Sequence, residues 1–297
     1  MVRIVVIGNI NIDIIAFLDE LPSIDEGREA KDWRVLPGGS GANFSVAARS
    51  LGADVELYAA VGTGTFSKKV VEELERAGVK VFGPLKEGEQ SMVFIASTPK
   101  GKVMYSLKGV SHSLRPEELP ERFGADVVHV ATKPPSFVEK YLSTERLSYS
   151  PGTYAFEETE SVKRLVGRVD FLFLNKSEAM RLGLYPEPEV LPREALVITL
   201  GGKGSLVYTR GGRAYYVESL KVEVVDTTGA GDVYAAAFLV TYLTEGDIIK
   251  AAKAASAAGA LAVTVPGGQI MLDVQSLKLA ASKVGVREMR KSPTPEG

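Results

Sequence analysis

Apolar and polar positions follow two rhythms along the chain. Residues 1–8 are almost all Val and Ile before a glycine, the pattern of a strand buried on both faces of a parallel sheet. Similar runs predict strands at 55–61, 79–82, 127–131, 171–174 and 196–200, followed by antiparallel pieces at 205–208 and 214–217. Between them, Phe44, Ala47, Ala48 and Leu51 recur at helical spacing and Gly52 closes the segment, which predicts a core-facing helix over 41–51. Further helices are expected at 66–77, 232–243, 247–263 and 274–284. Two stretches break this alternation. Ile10, Ile12 and Ile14 alternate with polar neighbours, and 91–98 with 102–107 flank the turn formers Pro99-Lys100-Gly101. Such half-polar strands suit a small sheet open on one side.

The expected architecture is therefore a three-layer α/β/α sandwich with a mostly parallel central sheet and a small β-sheet lid. Residues 1–11, 37–88 and 110–297 would form the core, with 12–36 and 89–109 as the lid. Residues 290–297 carry charge and turn formers without a large apolar side chain and are expected to fray.

Composition narrows the chemistry. Thirty-five basic residues against 37 acidic ones give a net charge of −2, and no stretch concentrates Lys and Arg, so nucleic acid is a poor candidate partner. The longest strongly apolar segment, 233–243, is about half of the ~20 residues a membrane span needs, and the N-terminal apolar run lacks a small-residue cleavage site. A cytoplasmic location is the expectation. Without cysteine there are no disulfides, thiolate nucleophiles or cysteine metal sites, and His112 and His129 alone cannot build a zinc centre. Any metal would be a hard cation held by oxygen atoms. His129, inside an apolar run, reads as structural.

The segment Val222 through Asp232 reads as a strand entering a glycine-rich turn that opens a helix. Unpaired N–H groups at a helix start carry partial positive charge, so Gly229, Ala230 and Gly231 can cradle a phosphoryl group. Asp232 follows at the mouth of that cradle, where its carboxylate can take a proton from an attacking hydroxyl, although an N-cap role would also explain it. No P-loop spacing occurs around Lys102 or Lys203, and Gly62-Thr63-Gly64 lacks a third glycine for a dinucleotide fingerprint.

With these residues in view, the chain resembles the ribokinase-like, or phosphofructokinase-B (PfkB), family of sugar and nucleoside kinases. Gly38-Gly39-Ser40-Gly41-Ala42-Asn43 looks like its N-terminal signature and Asp226 to Asp232 like its C-terminal one. The resemblance implies transfer of the terminal phosphoryl group of ATP, or of ADP, to a hydroxyl of a sugar or nucleoside. It implies Asp232 as base, with Gly229, Ala230 and Gly231 as the anion site. Asp13, Gly38, Gly39 and Asn43 would hold the acceptor; leaving-strand turn and helix-cap roles are the plain readings of Asp13 and Asn43. Asn175, Glu178, Thr199, Gly201, Gly204 and Thr228 would serve the nucleotide. Glu178 would organise Mg²⁺ through water, although Asn175 with Glu178 also suits a helix start, and Asp226 would face a monovalent cation such as K⁺. A homodimer through the lid is a further implication.

The chain departs from the family pattern at Gly62–Ser67, at Gly109-Val110-Ser111-His112 and at Met271, where potassium-activated members carry serine. Trp33 either packs the lid or covers the acceptor. Arg28, Lys31, Arg34, Lys108 and Lys133 are candidates for an acceptor phosphate, with solvated surface charge the plain reading of each. A ribose-containing acceptor is favoured. The alternatives are a catalytically silent sensor on the same fold and an NAD-dependent oxidoreductase, against which the missing fingerprint argues.

Overall fold

The computed structural model describes residues 1–289; the expected fraying of 290–297 lies outside them. A ten-stranded sheet runs in the order Val286–Met289, Ala214–Val217, Ser205–Thr209, Ala195–Thr199, Phe171–Asn175, Leu147–Ser150, Val127–Ala131, Arg3–Ile7, Asp54–Tyr58 and Lys80–Phe82. Every pairing from Ala195–Thr199 to Lys80–Phe82 is parallel, and those among the remaining strands are antiparallel.

Alternation along the first strand explains the layers. Ile4 and Val6 enter one core with helices Ser40–Ser50, Ala230–Glu245 and Ile248–Ala262, whereas Val5 and Ile7 enter a second with Phe137, Val162, Leu165 and Ala179. Ala235, Ala236 and Ala237 meet Ala251, Ala255 and Ala258 in the first core, so the small side chains serve close helix packing. His129 is fully buried there, stacked on Phe44 at 4.0 Å with Nδ1 2.8 Å from Ser148 Oγ, and burial lowers its pKa to about 3. Its structural reading holds.

A separate four-stranded sheet is built from the two polar interruptions, in the order Asp32–Gly38, Asn11–Phe17, Ser91–Thr98, Gly101–Leu107. Its register puts Leu36, Val93 and Ser106 beside Asp13 on one face. Trp33 falls on the opposite face and is 67% exposed, so stacking on an acceptor held by Asp13 is ruled out by strand parity. No helix among the described residues is long and apolar enough to cross a membrane.

Three differences from the expected elements have physical causes. Residues 222–225 are not a strand: among the described residues no neighbour pairs with them, Val224 and Val225 are 59% and 51% exposed, and Val225 N–H bonds to Val263 O at 2.7 Å. Leu147–Ser150 is a strand that Ser148 and Ser150 disguise. Helices Pro135–Glu139, Tyr154–Glu157, Thr159–Leu165 and Lys176–Leu182 are too short for their periodicity to stand out.

Candidate active site

Parallel strands end where helices begin, so strand C-termini and helix N-termini converge on one edge of the sheet. Thr132, Ser150, Asn175 and Thr199 all lie at or just beyond strand ends there, facing the first turn of helix Ala230–Glu245. Two hollows of about 130 and 160 Å³ share Thr199 and Gly231 in their walls. The first also takes Gly201, Gly204, Tyr234, Ser256 and Gly259; the second takes Ser40, Glu178 and Asp232. Broader depressions, such as one of about 590 Å³ around Met1, Asp126 and Arg146, lie at the opposite strand ends, away from these residues.

The turn before this helix depends on Gly229, whose φ is +71° and where a Cβ would stand 2.6 Å from Gly268 O. The N–H groups of Gly229 and Gly231 have no protein acceptor among the described residues, and that of Ala230 reaches Thr227 O only at 3.4 Å. Gly231 faces open space. The turn therefore offers donors to an anion.

Asp232 occupies the third helical position, and its side chain makes no capping bond, which removes the N-cap reading. Its Oδ2 accepts from Asn43 Nδ2 at 3.1 Å. The carboxylate is reached by solvent through the cleft but walled by protein, and its pKa is pushed up to about 7. Burial is the main cause; hydrogen bonds from Asn43 and Ser40 oppose it, and the charge of Glu178 adds to it.

On the acceptor side, Asn43 is 3% exposed and sits within helix Ser40–Ser50 rather than at its cap, which Gly39 occupies. Asp13 is 4% exposed, and burial, helped by the charge of Asp226 and opposed by Lys102, raises it to about 6. Gly38 leaves room for that carboxylate: a Cβ there would lie 2.3 Å from Asp13 Cγ. The Oδ1 atoms of Asn9, Asn11 and Asn43 are buried without a protein partner among the described residues. Gln90, unnoticed in the sequence, ties this region together by donating to Ile10 O and Ala60 O at 2.9 and 3.0 Å and accepting from Gly62 N at 2.7 Å.

Asn175 and Glu178 form a complete capping box: Glu178 N–H donates to Asn175 Oδ1, and both Asn175 N–H and Nδ2 donate to the Glu178 carboxylate at 2.9 and 2.6 Å. Burial still lifts Glu178 to about 7, because its carboxylate faces the cleft with no cationic side chain among the cleft's lining residues. That uncompensated pair of carboxylates fits an added dication. No cluster of three His, Asp or Glu side chains among the described residues could hold a metal unaided, so a Mg²⁺ ion would need ligands from phosphate and water.

Thr228 and Asp226 lie beside the anion turn. Asp226 Oδ1 accepts from Thr228 N, Thr228 Oγ1 and Lys102 Nζ at 3.0, 2.8 and 2.8 Å, while Oδ2 accepts from Gly267 N at 3.0 Å. Burial would raise its pKa, but these donors outweigh it and hold it at about 2. Lys102, from the small sheet, has no site role in the sequence reading, and neither do Ser40 and Thr132. Of the basic residues considered for an acceptor phosphate, Arg28 pairs with Glu20, Lys31 with Asp19 and Arg34 with Asp32 at the surface, while Lys108 is exposed. Lys133 is buried, not solvated, and donates to Ser111 O at 3.1 Å.

Residues 1–275 match the family model described as pfkB family carbohydrate kinase. The ATP-dependent ribose-1-phosphate kinase of Halopiger xanaduensis is 30% identical over 275 residues, covering 88% of this chain and 92% of that protein. The nucleoside kinase of Methanocaldococcus jannaschii is 27% identical over 286 residues, covering 92% and 94%. Its crystal structure, that of an archaeal member of the ribokinase family, superposes with a TM-score of 0.83 at 26% identity over 95% of this chain and 99% of that one.

Proposed function

The chain belongs to the pfkB family of carbohydrate kinases, and from that premise we propose that it moves the γ-phosphoryl group of ATP onto a hydroxyl of a ribose-containing molecule, with Asp232 as base. It is a phosphotransferase acting on a sugar or nucleoside hydroxyl. One observation carries the finer reading: Asp232, uncapped at the helix start, is joined by Asn43 to the acceptor side, while the neighbouring N–H groups of Gly229 and Gly231 have no protein acceptor among the described residues.

In this reading the acceptor hydroxyl lies against Asp232 and passes its proton to that carboxylate as the oxygen attacks. Gly229 and Gly231 N–H groups steady the charge on the migrating group. Asn43 keeps Asp232 oriented and opposes its protonation. Asp13 and the unpaired oxygens of Asn9, Asn11 and Asn43 are acceptors suited to a polyhydroxylated molecule. Thr199, Gly201, Gly204 and Thr228 border the nucleotide, and Glu178 would hold waters of Mg²⁺, which when bound offsets phosphate charge. The small sheet acts as a lid, excluding water from the transfer. Its outer face, with Trp33, Tyr105 and Leu107 exposed, would pair with a second copy.

ATP is taken as donor because the ribose-1-phosphate kinase relative is ATP-dependent. Incubating the protein with ATP or ADP and ribose, ribose 1-phosphate or nucleosides, and following nucleotide consumption, tests this directly. ATP consumed only when an acceptor is present supports it, whereas acceptor-independent binding without turnover would mark a sensor.

A further inference from the structure

Among the described residues, Lys102 is the lysine that ties the small sheet to the anion turn through hydrogen bonds. Tight reversal at Thr98–Gly101, where Thr98 Oγ1 donates to Gly101 O at 2.8 Å, fixes the start of its strand. Register then sets its direction. Lys102 pairs with Ser97, which pairs with Phe17, so it shares the sheet face that carries Asp13 and Ile15. From there Nζ reaches Asp226 Oδ1 at 2.8 Å and Thr228 Oγ1 at 2.7 Å, with the lysine side chain 27% and the aspartate 10% exposed.

These contacts leave Asp226 poorly suited to a monovalent cation. Oδ1 accepts from three N–H, O–H or ammonium donors and Oδ2 from one N–H, four in all. The ammonium already neutralises the carboxylate and bridges to the threonine beside the turn. An ion seated at Asp226 would have to displace a tethered charge of the same sign.

We propose that the Lys102 ammonium takes the place of a monovalent cation beside Asp226, making Lys102 a positioning residue that holds the 226–229 turn and frees the enzyme from any need for K⁺. The proposal rests on the kinase reading above for its activity arm alone. Removing the side chain leaves Asp226 with Thr228 and Gly267 as donors and opens a pocket of cation size against a carboxylate.

The test compares wild type, Lys102→Ala and Lys102→Arg in K⁺, NH₄⁺ or tetramethylammonium salts at equal ionic strength, by turnover and by the thermal midpoint without substrates. Wild type is expected to keep its rate and Tm within error whichever cation is present. Lys102→Ala is expected to lose about 10-fold or more in turnover in tetramethylammonium, the scale of a lost charge-assisted hydrogen bond. K⁺ or NH₄⁺ should then recover its rate and raise its Tm, an effect wild type lacks. Lys102→Arg should stay active without K⁺. If Lys102→Ala fails to fold, Lys102→Met keeps the side-chain length without the charge. Stimulation of wild type several-fold by K⁺ overturns the proposal, as does a variant indifferent to K⁺ in both readouts. Should wild type phosphorylate no acceptor, the kinase reading fails, and the Tm arm still decides the role of Lys102.

Discussion

Replacing Asp232 with Asn should make the unliganded protein more stable at pH 8. The carboxylate moves from an ordinary 3.8 to about 7 on folding, mainly because burial disfavours its charge. A carboxylate with a raised folded pKa stabilises below its unfolded value, and that contribution is lost as pH climbs through the folded one. At ~1.4 kcal/mol per pH unit the displacement sets a ceiling of ~4 kcal/mol. Water entering the cleft screens part of it, leaving a gain on the order of 2 kcal/mol for the neutral amide. With an unfolding entropy of roughly 2 cal/mol/K per residue over this chain, Tm should rise by ~3 °C. The increment should be near zero at about pH 4, grow up to about pH 7 and stay level above. Thermal unfolding of both proteins across that range measures it. An Asn variant less stable than wild type at pH 8, or an increment unchanged with pH, would refute a charge strained by burial at this position.

Asn43→Ala removes a donor to the charged form of Asp232. The acid limb of the kcat profile should therefore move up by about 1 pH unit, the scale of a hydrogen bond to a charged group; a static limb or an acidward move contradicts the bond's role. Gly229→Ala forces a Cβ toward Gly268 O at a φ of +71°, and turnover should fall by about 10²-fold as the anion donors shift; near-normal kinetics would show that the turn is not the anion site. Glu178→Gln should raise the Mg²⁺ concentration for half-maximal rate about 10-fold, and an unchanged Mg²⁺ titration would remove Glu178 from the metal's surroundings.

Much of the fold was readable because burial on both faces leaves unbroken Val and Ile runs such as Val127–Ala131, a strand whose expected bounds match the observed ones. The turn at Gly229 was readable because few residues other than glycine tolerate its backbone. Tertiary features were not. Val222-Glu223-Val224-Val225 has the composition of a strand, but whether an unpaired neighbour waits for it is decided elsewhere in the chain. The face of Trp33 is a matter of register parity, settled only by its pairing with Ala16. Lys102 looks like a hairpin charge until the second sheet brings it to Asp226, 124 positions away. Thr132, lining the cleft with φ +49°, has no sequence signal at all. Asn175 and Glu178 illustrate the converse: the helix-start reading of their spacing holds, and the same two residues also border the cleft.

The most direct test of the account is the turnover of Asp232→Asn with ATP, Mg²⁺ and the acceptor that wild type phosphorylates, measured beside its affinity for the nucleotide. Loss of about 10²–10⁴-fold in kcat with nucleotide binding largely kept is the predicted result, because only the proton acceptor has been removed. Turnover equal to wild type would contradict Asp232 as the base.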